Sequence, residues 1–322
     1  MKVTLQPAGH VLELLPGERI IDAARRLGFD AAQSCRNGNC HICAANLISG
    51  RVSQQGEERT SGELFTCIAE PLQDCELIWD GVLAPGELPL QRLACQVIDC
   101  TNLGADVWRL RMRTPAGKAL RYHAGQYLLL TRPDGEAAAF SIASSPDQQR
   151  ELELHILNRD SITAALINQL QQTRMAQLQL PLGHCHIADL PTRPMVMIAA
   201  GTGLAQMQSL IQDASRRGFN QPMHLYWGAR QGCDLYQPPY WSEWQQLADL
   251  TLHKVISHDP DWSGRNGLLY QAIIDDLGDL SRYEFYVSGS PAMVYATFDA
   301  LIEGGMPAAQ MHADAFAYAP RD

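Results

Sequence analysis

Four cysteines near the N-terminus carry the strongest chemical signal, at the spacing Cys35-x4-Cys40-x2-Cys43-x23-Cys67. Three thiolates on one tight loop and a fourth from a distant segment suit a 2Fe-2S cluster, which takes four cysteine ligands. Between them lie Arg36, Asn37, Gly38 and Asn39, and the backbone N–H groups of such a turn-forming stretch can wrap a cluster and tune its potential. The alternative is a structural zinc site, for which C-x4-C-x2-C is an unusual spacing. Nine cysteines in all, an odd number crowded at one end, do not read as a secreted disulfide framework but as a metal site in a reducing compartment. Cys75, Cys95, Cys100, Cys185 and Cys233 have no partner spacing and read as core residues.

A second group of residues points to phosphate. Ile198-Ala199-Ala200 runs into Gly201-Thr202-Gly203, and glycines between a strand and a helix let the backbone approach a dinucleotide pyrophosphate. The same glycines also serve turn geometry alone. Later apolar runs end in Gly228-Ala229-Arg230 and in Ser288-Gly289-Ser290-Pro291-Ala292-Met293, so all three segments fall where ligands bind, beyond the carboxyl ends of parallel strands. After Arg230 comes Asp234, able to accept from a ribose hydroxyl. This favours NADH over NADPH, whose 2'-phosphate asks for a basic or hydroxyl-rich cluster.

Elements that hold these residues are legible along the chain. Runs Lys2 to Gln6 and Val11 to Leu15, a Pro16-Gly17 turn and helical spacing over Arg19 to Leu27 give a β-hairpin and a helix ahead of the cysteines. Leu83 to Leu90 (LAPGELPL) has linker composition. Short alternating runs then follow at 94–99, 106–113, 126–131, 140–143, 151–157 and 177–181, with one helix-like stretch at 163–172, the pattern of a small antiparallel barrel. After Pro191, strands at 195–200, 224–227, 252–257 and 284–287 alternate with helices at 204–216 and 268–276, as in a parallel α/β sheet. The expected organisation is therefore multidomain, α+β and α/β: residues 1–82, 90–188 and 189–322. The 322 residues carry 25 Lys+Arg against 35 Asp+Glu, a formal charge of -10, which argues against a nucleic-acid partner. No window has the length of a membrane span or signal peptide, so a soluble, cytoplasmic protein is expected.

The segment CRNGNCHIC resembles the loop of plant-type ferredoxins, many of which have glycine where this chain has His41. That likeness implies a β-grasp for the first domain. Tyr122-His123-Ala124-Gly125-Gln126-Tyr127 and Phe140-Ser141-Ile142-Ala143-Ser144 resemble flavin-site segments of the ferredoxin-NADP reductase family. The resemblance implies that Phe140 packs beside an isoalloxazine and that the Ser141 hydroxyl approaches its reactive nitrogen. It also matches His155-Ile156 to the second flavin segment, and Leu180-Pro181-Leu182-Gly183 to the strand end that closes the flavin domain. The family's phosphate-binding arginine, two residues before the aromatic, is replaced by Ala138. Arg159-Asp160-Ser161-Ile162-Thr163, at the start of the one helix, is the substitute anchor expected, although Ser161 also reads as a plain N-cap. In the nucleotide domain Gln206 stands for a common proline, and Ser288 for a cysteine near the nicotinamide. Phe316 or Tyr318 is expected to cover the other flavin face, the alternative being terminal packing.

NAD(P)H yields two electrons as hydride and a 2Fe-2S cluster takes one at a time, so a flavin must stand between them. Domain order resembles the reductases of benzoate dioxygenase and methane monooxygenase, and CDP-6-deoxy-3,4-glucoseen reductase. It implies FAD, a partner oxygenase or dehydrase as acceptor, and catalytic roles for Ser141, Ser288 and Phe316. A flavin reductase with loosely held flavin, or a cluster-based redox sensor, are the alternatives. The acidic stretch Gly56 to Glu63 reads as a solvated loop or part of a docking surface.

Overall fold

A computed structural model describes residues 1–6 and 8–321. The chain divides into two compact units, Met1–Pro89 and Leu90–Asp322. In the first, Lys2–Gln6 pairs antiparallel with His10–Glu13 and parallel with Cys75–Ile78, and Ala44–Ser49 and Gly62–Phe65 complete a five-stranded sheet. The helix Ile20–Arg26 turns Ile20, Ile21, Ala23 and Ala24 inward, into one apolar cluster with Val3, Leu5, Leu12 and Leu77. This is the expected β-grasp. A second sheet, Val52–Gln54, Glu57–Arg59 and Ala69–Pro71, lies beside the fourth cysteine in the chain.

The second unit begins with a six-stranded sheet in the order Ala137–Ser141, Tyr127–Thr131, Met175–Leu182, Gln91–Asn102, Val107–Arg113, Glu151–Leu157, every pairing antiparallel. A bridge between Ile142 and Leu154 joins its two ends, which closes the sheet as a barrel and removes its free edges. The helix Ser161–Thr173 buries Leu166, Ile167 and Leu170 in the barrel core.

The parallel sheet follows, in the order Arg265–Asn266, Leu250–Ile256, Met223–Ala229, Met195–Ala200, Glu284–Ser288, Met311–His312. Its central strand, MVMIAA, is apolar throughout, as a strand covered on both faces is. From Met195–Ala200 the chain steps outward to one side, then returns to pair Glu284–Ser288 on the other. That reversal opens a crevice at the carboxyl ends of the strands.

The helix Leu204–Arg216 locks the two halves of this unit together. Its buried Gln206, Gln208 and Ser209 need partners, and the barrel supplies them: Gln206 Nε2 donates to the Gly125 carbonyl at 2.6 Å, Gln208 Nε2 to Glu153 Oε1 at 2.9 Å, and Ser209 Oγ to the Ser144 carbonyl at 2.7 Å. Among the described residues no helix is long and apolar enough to cross a membrane.

Candidate functional site

The cysteine loop turns through three left-handed residues, Arg36 (φ 57°), Gly38 (φ 83°) and His41 (φ 59°). The turns fold amides inward: Cys40 N–H donates to Cys35 Sγ at 3.3 Å. The amides of Asn37 and Asn39 reach the same sulfur, and that of Gly38 reaches Cys67. Led by the Asn37 amide and the Cys40 side chain, these donors hold the Cys35 thiol well below its ordinary value, whereas burial and the Cys43 sulfur push Cys67 up. The thiols thus pair two and two, Cys35 with Cys40 and Cys43 with Cys67. Among the described residues no three His, Cys, Asp or Glu side chains group around one metal ion. Two pairs of thiols fit a two-iron centre with two cysteines on each iron. The left-handed φ of 83° favours glycine at position 38, where a Cβ would also press on the end of the Ile68 side chain at 2.7 Å. His41 holds its left-handed backbone with its ring 4.5 Å from that of Phe65.

In the second unit a cleft of about 600 Å³ lies between the barrel and the parallel sheet, a volume suited to a small-molecule cofactor. The barrel contributes Tyr127, Phe140, Ser141, His155 and Arg159; the sheet contributes Thr202, Gly203, Ser288 and Gly289; the C-terminal segment contributes Asp314 and Tyr318. Aromatic walls with a few oriented hydroxyls and amides fit a flavin. At Gly203 a Cβ would lie 2.3 Å from the Ser288 carbonyl oxygen, so only glycine lets the turn cross its neighbouring strand so closely.

Two buried polar groupings support this cleft. Asp314 Oδ1 accepts from the amides of His184 (2.8 Å) and Cys185 (3.0 Å), and its Oδ2 accepts from Gln206 Nε2 (3.1 Å). Burial lifts its carboxyl above the ordinary range despite these donors. The Gln206 amide nitrogen also lies 3.1 Å from the Cys185 carbonyl. Its two hydrogens are therefore shared among three acceptors. On the barrel side, His155 Nε2 lies 3.2 Å from Glu153 Oε1 and His155 Nδ1 2.9 Å from the Tyr236 hydroxyl. Burial alone would raise the Glu153 carboxyl, but His155, Gln208 and Arg109 bring it below its usual value.

A second cleft, about 550 Å³, is lined by Gly201, Thr202, Gly228, Arg230, Asp234, Tyr236, Leu269 and Met293 among others. Gly201 has φ +53° with no atom within 4 Å of where a Cβ would be, leaving its backbone open to a ligand. The Trp227 indole N–H donates to the Gly201 carbonyl at 3.0 Å and pins the turn. The turn after Arg230 is held by carboxylates: Asp234 Oδ2 accepts from the Gln231 amide and Asp259 Oδ2 from the Gly232 amide, both at 2.9 Å.

Some residues singled out in the sequence sit elsewhere. Ile142 and Ile156 point into the barrel core, and Gln126 is buried, its side chain bonding the His123 amide and the Gly183 carbonyl. These three shape the cleft from behind instead of lining it. The helix Ser161–Thr173 is capped by Asp160, with Thr163 closing a reciprocal capping box, and Ser161 is its exposed first residue. A carboxylate thus occupies the helix N-terminus expected to receive phosphate. Phe316 packs on Tyr295 and Phe298, at centroid distances of 5.5 and 5.3 Å, because its ring completes the apolar cluster beneath the helix Pro291–Glu303. Tyr318 lines the cleft in its place. Sequence reasoning missed Asp314 and Tyr236; their partners lie far away in the chain, and no local spacing marks them.

Residues 3–72 match the 2Fe-2S iron-sulfur cluster binding domain family, 94–187 the oxidoreductase FAD-binding domain family and 197–299 the oxidoreductase NAD-binding domain family. The chain is 29% identical to terephthalate 1,2-dioxygenase reductase component 1 of Comamonas sp, over 95% of this chain and 94% of that one. It is 27% identical to the CDP-6-deoxy-L-threo-D-glycero-4-hexulose-3-dehydrase reductase of Yersinia pestis, over 98% of each. The crystal structure of the Amycolatopsis cytochrome P450 reductase GcoB superposes with a TM-score of 0.67 at 28% identity, covering 97% of this chain and 98% of the other.

Proposed function

The chain belongs to the ferredoxin-NADP reductase superfamily of 2Fe-2S flavoproteins, and from that premise we propose an NADH-dependent reductase that serves a partner oxygenase or dehydrase. Bound FAD would supply a two-electron acceptor for hydride from the nicotinamide, and a cluster on the four cysteines would supply single-electron transfer. The observation that carries this reading is a single cleft across which Phe140 and Ser141 of the barrel share a wall with Ser288 and Gly289 of the parallel sheet.

In this reading Cys35, Cys40, Cys43 and Cys67 hold the cluster. Phe140 and Tyr318 present aromatic faces to the flavin, while the Ser141 and Ser288 hydroxyls donate hydrogen bonds at the reacting end of the cleft. The backbone of Gly201 and Thr202 takes the dinucleotide phosphates. Carboxylates of Asp234 and Asp259 beside the Arg230 turn suit the ribose hydroxyls of NADH and repel the 2'-phosphate of NADPH. The three functional domains are residues 1–82, 90–188 and 189–322, and a reducing cytoplasm is the compartment that suits them.

The test is an anaerobic NADH titration of the purified protein, followed by visible absorbance and low-temperature EPR, with iron and flavin assays alongside. Bleaching of bound flavin together with a rhombic signal from the reduced cluster is expected. Cys40→Ser should abolish reduction of one-electron acceptors such as cytochrome c while NADH still bleaches the flavin; equal loss of both contradicts the order of centres. Ala138 and the Asp160 cap favour a second reading, a flavin reductase that releases its flavin. Gel filtration separates the two, since prosthetic FAD co-elutes with protein.

A further inference from the structure

Position 138, where the resemblance to the ferredoxin-NADP reductase family implies a phosphate-binding arginine, is an alanine on the strand Ala137–Ser141. The nearby helix N-terminus does not make good the loss. Asp160 Oδ1 accepts from the Thr163 amide and from the Thr163 hydroxyl, both at 2.8 Å, so an anion arriving there meets a carboxylate at the position the helix dipole favours for negative charge. One arginine does line the flavin cleft: Arg159. The antiparallel bridge between Ile142 and Leu154 fixes how the strands Ala137–Ser141 and Glu151–Leu157 run past each other. Positions 138 and 158 each lie four residues along the chain from that bridge, 138 on the strand Ala137–Ser141 and 158 next to Arg159, just past the strand end at Leu157. The Arg159 side chain is 74% exposed, and its Nε lies 3.4 Å from Asp160 Oδ2. This contact does not use the two terminal nitrogens.

We infer that Arg159 is the phosphate anchor of the flavin site, a guanidinium displaced from the strand position 138 to the adjoining chain. It grips the flavin phosphate by a forked, charge-assisted contact of the kind arginine makes with planar or tetrahedral oxyanions. The inference rests on the flavin reading above. Since Arg159 sits at the rim, the contact is made in water and weakens with salt.

The full-length chain, cluster retained and flavin removed, is titrated with riboflavin, FMN and FAD by quenching of flavin fluorescence. The unsubstituted protein is expected to bind FMN more tightly than riboflavin. Arg159→Gln should raise the Kd for FMN and FAD by about 10- to 100-fold and leave riboflavin where it was. Ala138→Arg added to R159Q should restore FMN binding, and its failure would refute the claim that the two positions serve one phosphate. FMN binding unchanged in R159Q, or riboflavin weakened in parallel, would overturn the anchor. An unsubstituted protein that binds none of the three flavins would instead overturn the flavin reading itself.

Discussion

Two helices start at the clefts of the second unit, and their first turns are finished in opposite ways. In Ser161–Thr173 the third residue, Thr163, folds back on the cap: Asp160 accepts from its amide, and its hydroxyl lies within reach of the Asp160 backbone. In Leu204–Arg216 the cap is Gly203, with no side-chain bond, and the third residue, Gln206, reaches away to the barrel and to Asp314. The first helix satisfies a leading amide with its own cap side chain; in the second the Leu204 amide turns back to the Gly201 and Thr202 carbonyls, and no side chain closes the end. Both follow a strand and both have the same dipole, so the dipole does not decide which end receives a phosphate. In the proposed function the side chains at the cap and third positions do.

The contrast is broken most severely at Gly203. In Gly203→Ala the new Cβ meets the Ser288 carbonyl, the turn must shift, and flavin reduction by NADH, expressed per bound flavin, should fall by about 100-fold in kcat/KM. Stopped-flow kinetics measure this, and a rate within a few-fold of the parent would show that the open helix end is not used.

Gln206→Leu comes next. It leaves Asp314 with its two backbone donors and the Gly125 and Cys185 carbonyls short of one, a loss of roughly 1–3 kcal/mol. Burial already lifts the Asp314 carboxyl, and losing an N–H donor lifts it further. A carboxyl raised on folding contributes its full stability below its unfolded pKa and loses it as pH rises through the folded one. The melting deficit of Q206L should therefore grow from mildly acidic to neutral pH. A deficit that stays constant across that range would remove Asp314 from the account.

Asp160→Asn is the gentlest change. Asparagine caps about as well as aspartate, so melting should barely move, while removing the charge should tighten FMN by about two- to fivefold. Unaltered affinity would mean that the carboxylate does not guard that end of the cleft.

What could be read beforehand divides along the same line. The four cysteines and the Gly201-Thr202-Gly203 turn are marked by short spacings, and the helix Leu204–Arg216 and strand Met195–Ala200 stand at the bounds their apolar periodicity predicts. The three sheet strands that follow the Cys35–Cys43 loop, Ala44–Ser49, Gly62–Phe65 and Cys75–Ile78, show no sustained apolar alternation in AANLIS, GELF and CELI to announce them. Ser161 and Asp160 are both good capping types, and composition alone cannot choose between neighbours. Phe316 and Tyr318 lie two apart on a four-residue helix, where that spacing sends side chains to different sides; which of them meets the cleft depends on the packing of Tyr295 and Phe298. Gln206 and Asp314 are 108 positions apart, and only the fold makes them partners.

Ala200 and Thr202 line both clefts. A substitution at either is a change in two sites at once, so a mutant affinity measured for one cofactor carries an unrecorded contribution from the occupancy of the other. Thermodynamic reciprocity then obliges any factor by which flavin alters nucleotide affinity through this turn to act equally in reverse. The strand end Ala200–Thr202 is a ledger line common to both equilibria, and a binding constant for either ligand has meaning only with the state of its neighbour specified.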